Sequence, residues 1–153
     1  MMGRMNRYLL ERTKGEKYAT VFYSIIERNG AFHWSNAGHC APMVLHTDGR
    51  VTTLATTGLP IGMIEGAEYA LENLALTAGE KVVLYTDGLT EAQDPDDQFF
   101  GSSRVRKILE AKGGESCGEI LRELLNAVEA FAEGTVLPDD VTVVVIEYAP
   151  DVV

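Results

Sequence analysis

An α+β fold, with helices packed against antiparallel sheet, is what the sequence predicts, and three observations predict it. Residues 18–26 and 31–35 are rich in β-branched and aromatic side chains and are joined through Asn29-Gly30. A second such pair, 42–46 and 51–54, is joined through Asp48-Gly49. Both dipeptides are hairpin signals, because Asn, Asp and Gly tolerate the positive φ of a type I′ turn. After Gly101 the apolar period changes from two to about 3.6, which is the period of a helix.

Taken in chain order, Met5 to Thr13 has the pattern of the tail of a helix that begins without a cap or a long apolar stripe. Methionines at positions 1, 2 and 5 fit a late start as well as a short frayed helix. The two hairpins then make the first half an antiparallel meander. Lys81 to Thr86 is a further apolar run, but Asp87-Gly88 has no returning strand behind it, only Leu89-Thr90-Glu91-Ala92 and the acidic stretch Asp94 to Asp97. Val105, Ile108 and Leu109 share one face of a short helix that Ser102 or Ser103 is placed to cap. Ser116 with Glu119 forms a capping-box pattern. Ile120, Leu121, Leu124, Leu125, Val128 and Phe131 then make one apolar stripe, which ends near Gly134 and reads as core. The closing run Val141 to Ile146 is apolar at consecutive positions, which predicts a central strand covered on both faces.

The chain has 153 residues, 46% hydrophobic and 24% charged, enough for one compact core, so a single domain over 1–153 is expected. A net charge of -10 argues against nucleic acid and anionic membrane as partners, since both would repel the average surface. Cys40 and Cys117 stand far apart with no Cys-x-x-Cys, and no secretory leader is evident, so a reducing cytoplasm is expected. The apolar stretches are strand-length, too short to span a membrane. Trp34 and the tyrosines occur singly on strands without a basic patch, which marks core or edge residues before a stacking platform for bases.

Asp87 and the pair Asp139-Asp140 are the candidates for metal-assisted chemistry. Asp87 follows its apolar run and Asp139-Asp140 precedes another, so antiparallel pairing of the two runs would gather the acids at one end of a sheet. Carboxylates so gathered repel one another unless a cation lies between them, and hard divalent ions prefer such oxygen ligands. The bland alternative is that aspartate before glycine or valine only shapes a loop. The stretch Asp94 to Asp97 is no EF-hand, because Phe99 replaces the loop glycine and Val105 stands where the closing glutamate belongs.

Four segments in order resemble the metal-dependent, type 2C protein phosphatases, specifically the bacterial sporulation stage II E-like serine/threonine phosphatases. They are Asn36-Ala37-Gly38-His39-x-x-Pro42, Gly58-Leu59-Pro60-Ile61-Gly62, Leu84 to Ala92, and Asp139-Asp140-Val141-Thr142, with Phe100-Gly101 between the last two. The resemblance runs from about residue 8 to 148 and implies a two-sheet antiparallel sandwich flanked by helices. It implies that Asp87 and Asp139 are metal carboxylates, with Asp140 an outer or alternative ligand and the backbone of Gly88 and Gly38 close by. It implies two Mn²⁺ or Mg²⁺ ions whose bridging water attacks a phosphoserine or phosphothreonine. His39 falls where relatives can carry an acid near the metals, although a lone histidine in a turn is more often a hydrogen-bonding loop residue. Gly58 to Gly62 serves as a loop between strands before it serves catalysis.

One part of the family pattern is absent. No Gly-Asp-x-x-Asp segment, whose aspartate bridges both metals in the family, precedes Tyr18. The chain therefore resembles the carboxy-terminal two-thirds of a phosphatase domain, with weak metal binding, slow turnover and self-association through uncovered edges as expectations. The implied partner is a phosphorylated regulatory protein such as an anti-sigma-factor antagonist, with a sensor domain upstream in a longer protein. The alternative is a non-catalytic phosphatase-like module that binds a protein.

Overall fold

The computed structural model describes residues 1–135 and 139–150. Four helices and seven strands are present among them: α1 (Met2–Thr13), β1 (Val21–Ile26), β2 (Ala31–Ala37), β3 (Met43–Leu45), β4 (Val51–Thr53), β5 (Glu72–Ala75), β6 (Lys81–Tyr85), α2 (Asp87–Thr90), α3 (Gly101–Ala111), α4 (Cys117–Ala132) and β7 (Val143–Glu147). The strands form two antiparallel sheets, ordered β1-β2-β5 and β4-β3-β6-β7. The predicted single meander is thus divided, because β2 pairs with β5 on its far side while β3 and β4 join the second sheet. β5 has no counterpart among the predicted elements. Two compact units follow the same division, residues 1–41 with 55–77, and residues 42–54 with 78–149.

In the first unit, the β1–β2 hairpin turns where expected but not in the expected way. Only Gly30 has positive φ (87°), so the turn is not type I′. The Gly30 N–H donates to Glu27 O at 3.0 Å, and the Asn29 carboxamide accepts from Ala31 N–H at 2.9 Å. Asp48-Gly49 in the second unit repeats the device: Gly49 N–H donates to His46 O, and Asp48 accepts from Arg50 N–H. In both, the Asx side chain closes the bend and leaves the left-handed position to glycine, as in hairpins with a type I turn and a bulge. Around α1, Met2, Ala37 and Ile61 form a buried cluster with Leu9, Val21, Tyr23 and Tyr69 packed on it. Trp34 is core as expected, stacked on Phe32 with centroids 5.6 Å apart.

In the second unit, α4 starts at the predicted capping box. The Ser116 hydroxyl accepts from Glu119 N–H, and the Glu119 carboxylate accepts from the Ser116 backbone N–H at 3.0 Å. Ile120, Leu124, Val128 and Ala132 are its buried stripe, while Leu121, Leu125 and Phe131 are half-buried. α3 departs from expectation at its start. It begins at Gly101, so Ser102 and Ser103 lie inside its first turn and no side chain caps it. Arg104 donates to the carbonyls of Phe99 and Phe100, at 3.0 and 2.7 Å, and lies over the Phe131 ring. β7 also departs. It is the edge of its sheet rather than a central strand, with Val144 46% and Ile146 39% exposed, so a consecutive apolar run here marks an edge covered on one side.

Two measurements follow. Ser116→Ala should cost about 1 kcal/mol in urea unfolding at neutral pH. The Ser116 hydroxyl, then its backbone N–H, hold the Glu119 carboxyl below its ordinary 4.5. The carboxylate's share of the cap is therefore fully present above 4.5 and is lost as pH falls through the lowered value, so the difference between wild type and variant should narrow in acid. Tyr69 has an enclosed hydroxyl with no hydrogen-bond partner among the described residues, and burial pushes its ionisation above 10.0. Tyr69→Phe should raise stability by about 1 kcal/mol, since an unsatisfied buried donor is removed at nearly constant shape.

Candidate active site

The three aspartates lie in the second unit, where strand pairing decides their positions. β6 and β7 run antiparallel with Tyr85 opposite Val143 and Lys81 opposite Glu147. The residue after β6 and the loop before β7 therefore fall at the same end. The pairing extends one residue further, with Thr86 N–H donating to Thr142 O at 3.0 Å. The Thr86 hydroxyl then makes a clamp: it donates to Asp140 O and accepts from Thr142 N–H, each at 3.0 Å.

Gly88 completes the approach. It sits buried in α2 immediately behind Asp87, and a Cβ added there would collide with Asp140 O and lie 3.2 Å from Asp139 O. Both obstacles are backbone atoms, so only glycine lets the two loops come this close. The acids themselves remain exposed. Asp87 Oδ1 accepts from Gly88 N–H at 3.0 Å, and Asp139 Oδ1 accepts from Asp140 N–H at 2.7 Å. Carboxylates held this way by adjacent backbone suit a hard divalent ion in donor type. The number of donors is smaller than a full cage needs: among the described residues no three His, Cys, Asp or Glu side chains are gathered as a metal set.

His39 and Gly38 lie in the first unit, in a loop that is equally well organised. The buried Asn36 side chain accepts from His39 N–H at 2.8 Å and donates to His39 O at 3.1 Å, closing the turn on itself. Gly38 has φ of 72°, and a Cβ there would stand 2.7 Å from Pro60 Cγ. Thr57 hydroxyl accepts from Asn36 N–H at 2.7 Å, while Thr57 and Gly58 N–H both donate to Asn36 O. The segments Asn36 to His39 and Gly58 to Gly62 are thus one interlocked structure, and Gly38 is the glycine that this close approach requires. α1 joins it through Asn6, whose buried carboxamide accepts from Gly62 N–H at 2.7 Å and donates to Ile64 O at 2.9 Å.

Thr57, Thr86 and Asn6 were not singled out by the sequence, although two of them left a trace. Asn6 stands among Met2, Leu9 and Thr13 on one helix face, a polar residue on an inward stripe. Thr86 is the polar residue between an apolar strand and an acid.

Comparison with known proteins adds the decisive observation: the family model described as Stage II sporulation protein E (SpoIIE) matches residues 1–149. The chain belongs to the SpoIIE family. Within that family's reach, Protein IcfG of Synechocystis is 31% identical over 130 residues, which are 84% of this chain and 20% of the relative. Phosphoserine phosphatase RsbU of Bacillus subtilis is 23% identical over 145 residues, 93% of this chain and 42% of RsbU. This SpoIIE-family chain thus spans less than half the length of either relative. Its fold is that of PP2C phosphatase domains. The SiaA-PP2C domain of Pseudomonas aeruginosa superposes with a TM-score of 0.82 at 16% identity, over 95% of this chain and 58% of that one. The SpoIIE phosphatase domain of Bacillus subtilis gives 0.73 at 20% identity, over 98% and 66%.

The clamp can be tested without any ligand. Thr86→Val, which keeps shape and removes the hydroxyl, should lower stability by about 1–2 kcal/mol, and Thr86→Ser should recover most of it. Gly88→Ala should cost at least as much, about 1–3 kcal/mol, because backbone has to yield. Urea midpoints equal to wild type for Thr86→Val and Gly88→Ala would remove the clamp from the account.

Proposed function

We propose that the chain is a single phosphatase-like domain of a metal-dependent serine/threonine phosphoprotein phosphatase, acting in the cytoplasm on a phosphorylated regulatory protein such as an anti-sigma-factor antagonist. Membership of the SpoIIE family supports it, as does the phosphoserine phosphatase named among the relatives. The observation that carries it is the β6–β7 pairing, which brings Asp87 and the Asp139-Asp140 loop to one end of the sheet. No helix among the described residues is long and apolar enough to cross a membrane.

Asp87 and Asp139 are the proposed metal carboxylates, with Asp140 as an outer or alternative partner. Mn²⁺ or Mg²⁺ bound there would supply Lewis acidity and a water made nucleophilic at neutral pH. The chain's own contribution is placement. The Thr86 hydroxyl and the missing Cβ of Gly88 fix the spacing of the two acidic loops, so that the carboxylates need little reorganisation to take up a cation. His39, presented by its Asn36-closed turn, is proposed to contact an ion, a water or phosphate. The second reading, a non-catalytic protein-binding module, is favoured by one observation, the lack of a gathered trio of metal-binding side chains among the described residues.

Mn²⁺ titration of stability and activity separates the two. In chelator, Asp87→Asn and Asp139→Asn should melt as high as wild type or higher, since each removes a repelling charge at nearly constant shape. A hundredfold excess of Mn²⁺ over its Kd should stabilise wild type by about 2–3 kcal/mol and the variants by less. Hydrolysis of a phosphoserine peptide should require Mn²⁺ and be faster in a longer chain that carries a Gly-Asp-x-x-Asp segment. Variants that lose stability in chelator yet gain fully from Mn²⁺ would make these aspartates loop residues only.

A further inference from the structure

We propose that Asn29, in the β1–β2 hairpin turn, is a site of spontaneous covalent modification, where Gly30 N attacks the side-chain carboxamide and water completes its conversion to aspartate or isoaspartate. Three dipeptides of this class occur in the chain, Asn29-Gly30, Asp48-Gly49 and Asp87-Gly88. Glycine hinders the attack least of all residues, because no Cβ stands beside the nitrogen. Asn6, Asn36, Asn73 and Asn126 are followed by Arg7, Ala37, Leu74 and Ala127. Asn6 and Asn36 are also buried, with oxygen and nitrogen of each carboxamide hydrogen-bonded. Asn73 and Asn126 lie inside β5 and α4, whose regular dihedrals hold the next amide out of line.

The turn supplies what the step needs. Asn29 Oδ1 accepts from Ala31 N–H at 2.9 Å, which folds Cγ back along the Gly30 peptide. The same N–H stands where negative charge develops as nitrogen adds to the side-chain carbonyl. Nδ2, the leaving nitrogen, has a long 3.5 Å contact with Glu27. Gly30 N–H donates to Glu27 O at 3.0 Å, a bond that has to open first, and bonds in exposed turns open at far lower cost than those of core strands. Gly30 N then gives its proton to solvent hydroxide and bonds to Cγ. The Cγ–Nδ2 bond breaks, and Nδ2 takes a proton from water and leaves as ammonia. Water opens the cyclic imide at one carbonyl or the other. Both reacting groups belong to adjacent residues, so the step requires no pocket and no partner.

The other two dipeptides are spared for separate reasons. Asp48 makes the same turn, with Gly49 N–H on His46 O and Arg50 N–H on Oδ1 at 3.0 Å. Its Oδ2, however, accepts from Arg50 Nε at 2.7 Å, and that hydrogen bond holds the carboxyl below its ordinary 3.8. An ionised carboxylate resists attack by a nucleophile and offers no neutral leaving group. At Asp87 the following Gly88 is buried in α2 and packed against Asp140 O, which opposes the backbone rotation that ring closure requires.

Incubation of the folded chain in water enriched in heavy oxygen, followed by peptide mass spectrometry, tests the proposal. Heavy oxygen should enter position 29 at least about tenfold faster than any of the other four asparagines. The rate should rise at mildly alkaline pH, because Gly30 N must lose its proton, and both aspartate and isoaspartate should be found. Asn29→Ser, checked for unchanged circular dichroism, should abolish the acidic species that isoelectric focusing detects. Conversion spread evenly over the asparagines overturns the proposal, as does isomerisation at Asp48 that keeps pace with Asn29. So does an Asn29 still intact when a free peptide of residues 25–34 has fully converted, or an aspartate at position 29 that carries no heavy oxygen.

Discussion

Pairing of β6 with β7 is the constraint on which the candidate site depends. Two acidic loops separated widely in sequence acquire a common position only because Tyr85 stands opposite Val143 in an antiparallel register. A slip of one residue would invert every side chain on β7 and carry Asp140 away from Thr86. The register is secured beyond the strands themselves by the Thr86 hydroxyl, which bonds both Asp140 O and Thr142 N–H. At the opposite end, buried Lys81 lies 3.3 Å from Glu147, a charge pair at the last matched position. Strand register, hydroxyl clamp and ion pair therefore specify one alignment, and the exposed carboxylates inherit their place from it.

The first unit solves a related problem with amides in place of hydroxyls. Asn36 folds its own loop around His39, and Asn6 ties α1 to the backbone at Gly62 and Ile64. A buried carboxamide is costly unless both its oxygen and its nitrogen find partners, and each of these does. The glycines at 38, 58 and 62 stand where Pro60, Tyr69 and Leu9 leave no room for a Cβ. A helix, a strand end and an irregular loop are thereby joined by amide hydrogen bonds as well as by the cluster of Met2, Ala37 and Ile61.

Much of this was legible in the sequence, for physical reasons that differ by element. The capping box of α4 depends on residues three apart and needs nothing else, so Ser116 and Glu119 announced it. The hairpins at Asn29 and Asp48 were equally local, although the turn type was not, because an Asx side chain can close a bend without adopting positive φ itself. What escaped was non-local. Nothing in Val141 to Ile146 distinguishes an edge from a centre, since that depends on which strands flank it. The start of α3 went to Phe100 and Gly101 rather than a serine, with no side chain capping its first N–H groups. Asp87, Asp139 and Asp140 were legible as a juxtaposition, whereas Thr86 and Gly88 took on meaning only when the opposing backbone was in place.

The order of strands along the chain also bears on how the molecule is made. β6 ends at residue 85 and its partner β7 begins at residue 143, with α2, α3 and α4 translated between them. On the ribosome β6 has β3 to pair with, but its other side stays open until β7, the last of the described strands, has emerged. Synthesis at about 5–20 residues per second makes that wait several seconds, long compared with the formation of a local hairpin. Throughout it Asp87 exists without the acids it is to face. The nascent chain is thus kept free of the Asp87–Asp140 juxtaposition until β7 has been made, and a protease cut in the exposed loop around Asp96 would leave Asp87 and Asp139-Asp140 on separate peptides, held together by the β6–β7 pairing, the Thr86 clamp and the Arg106 bonds to Val51 and Thr53.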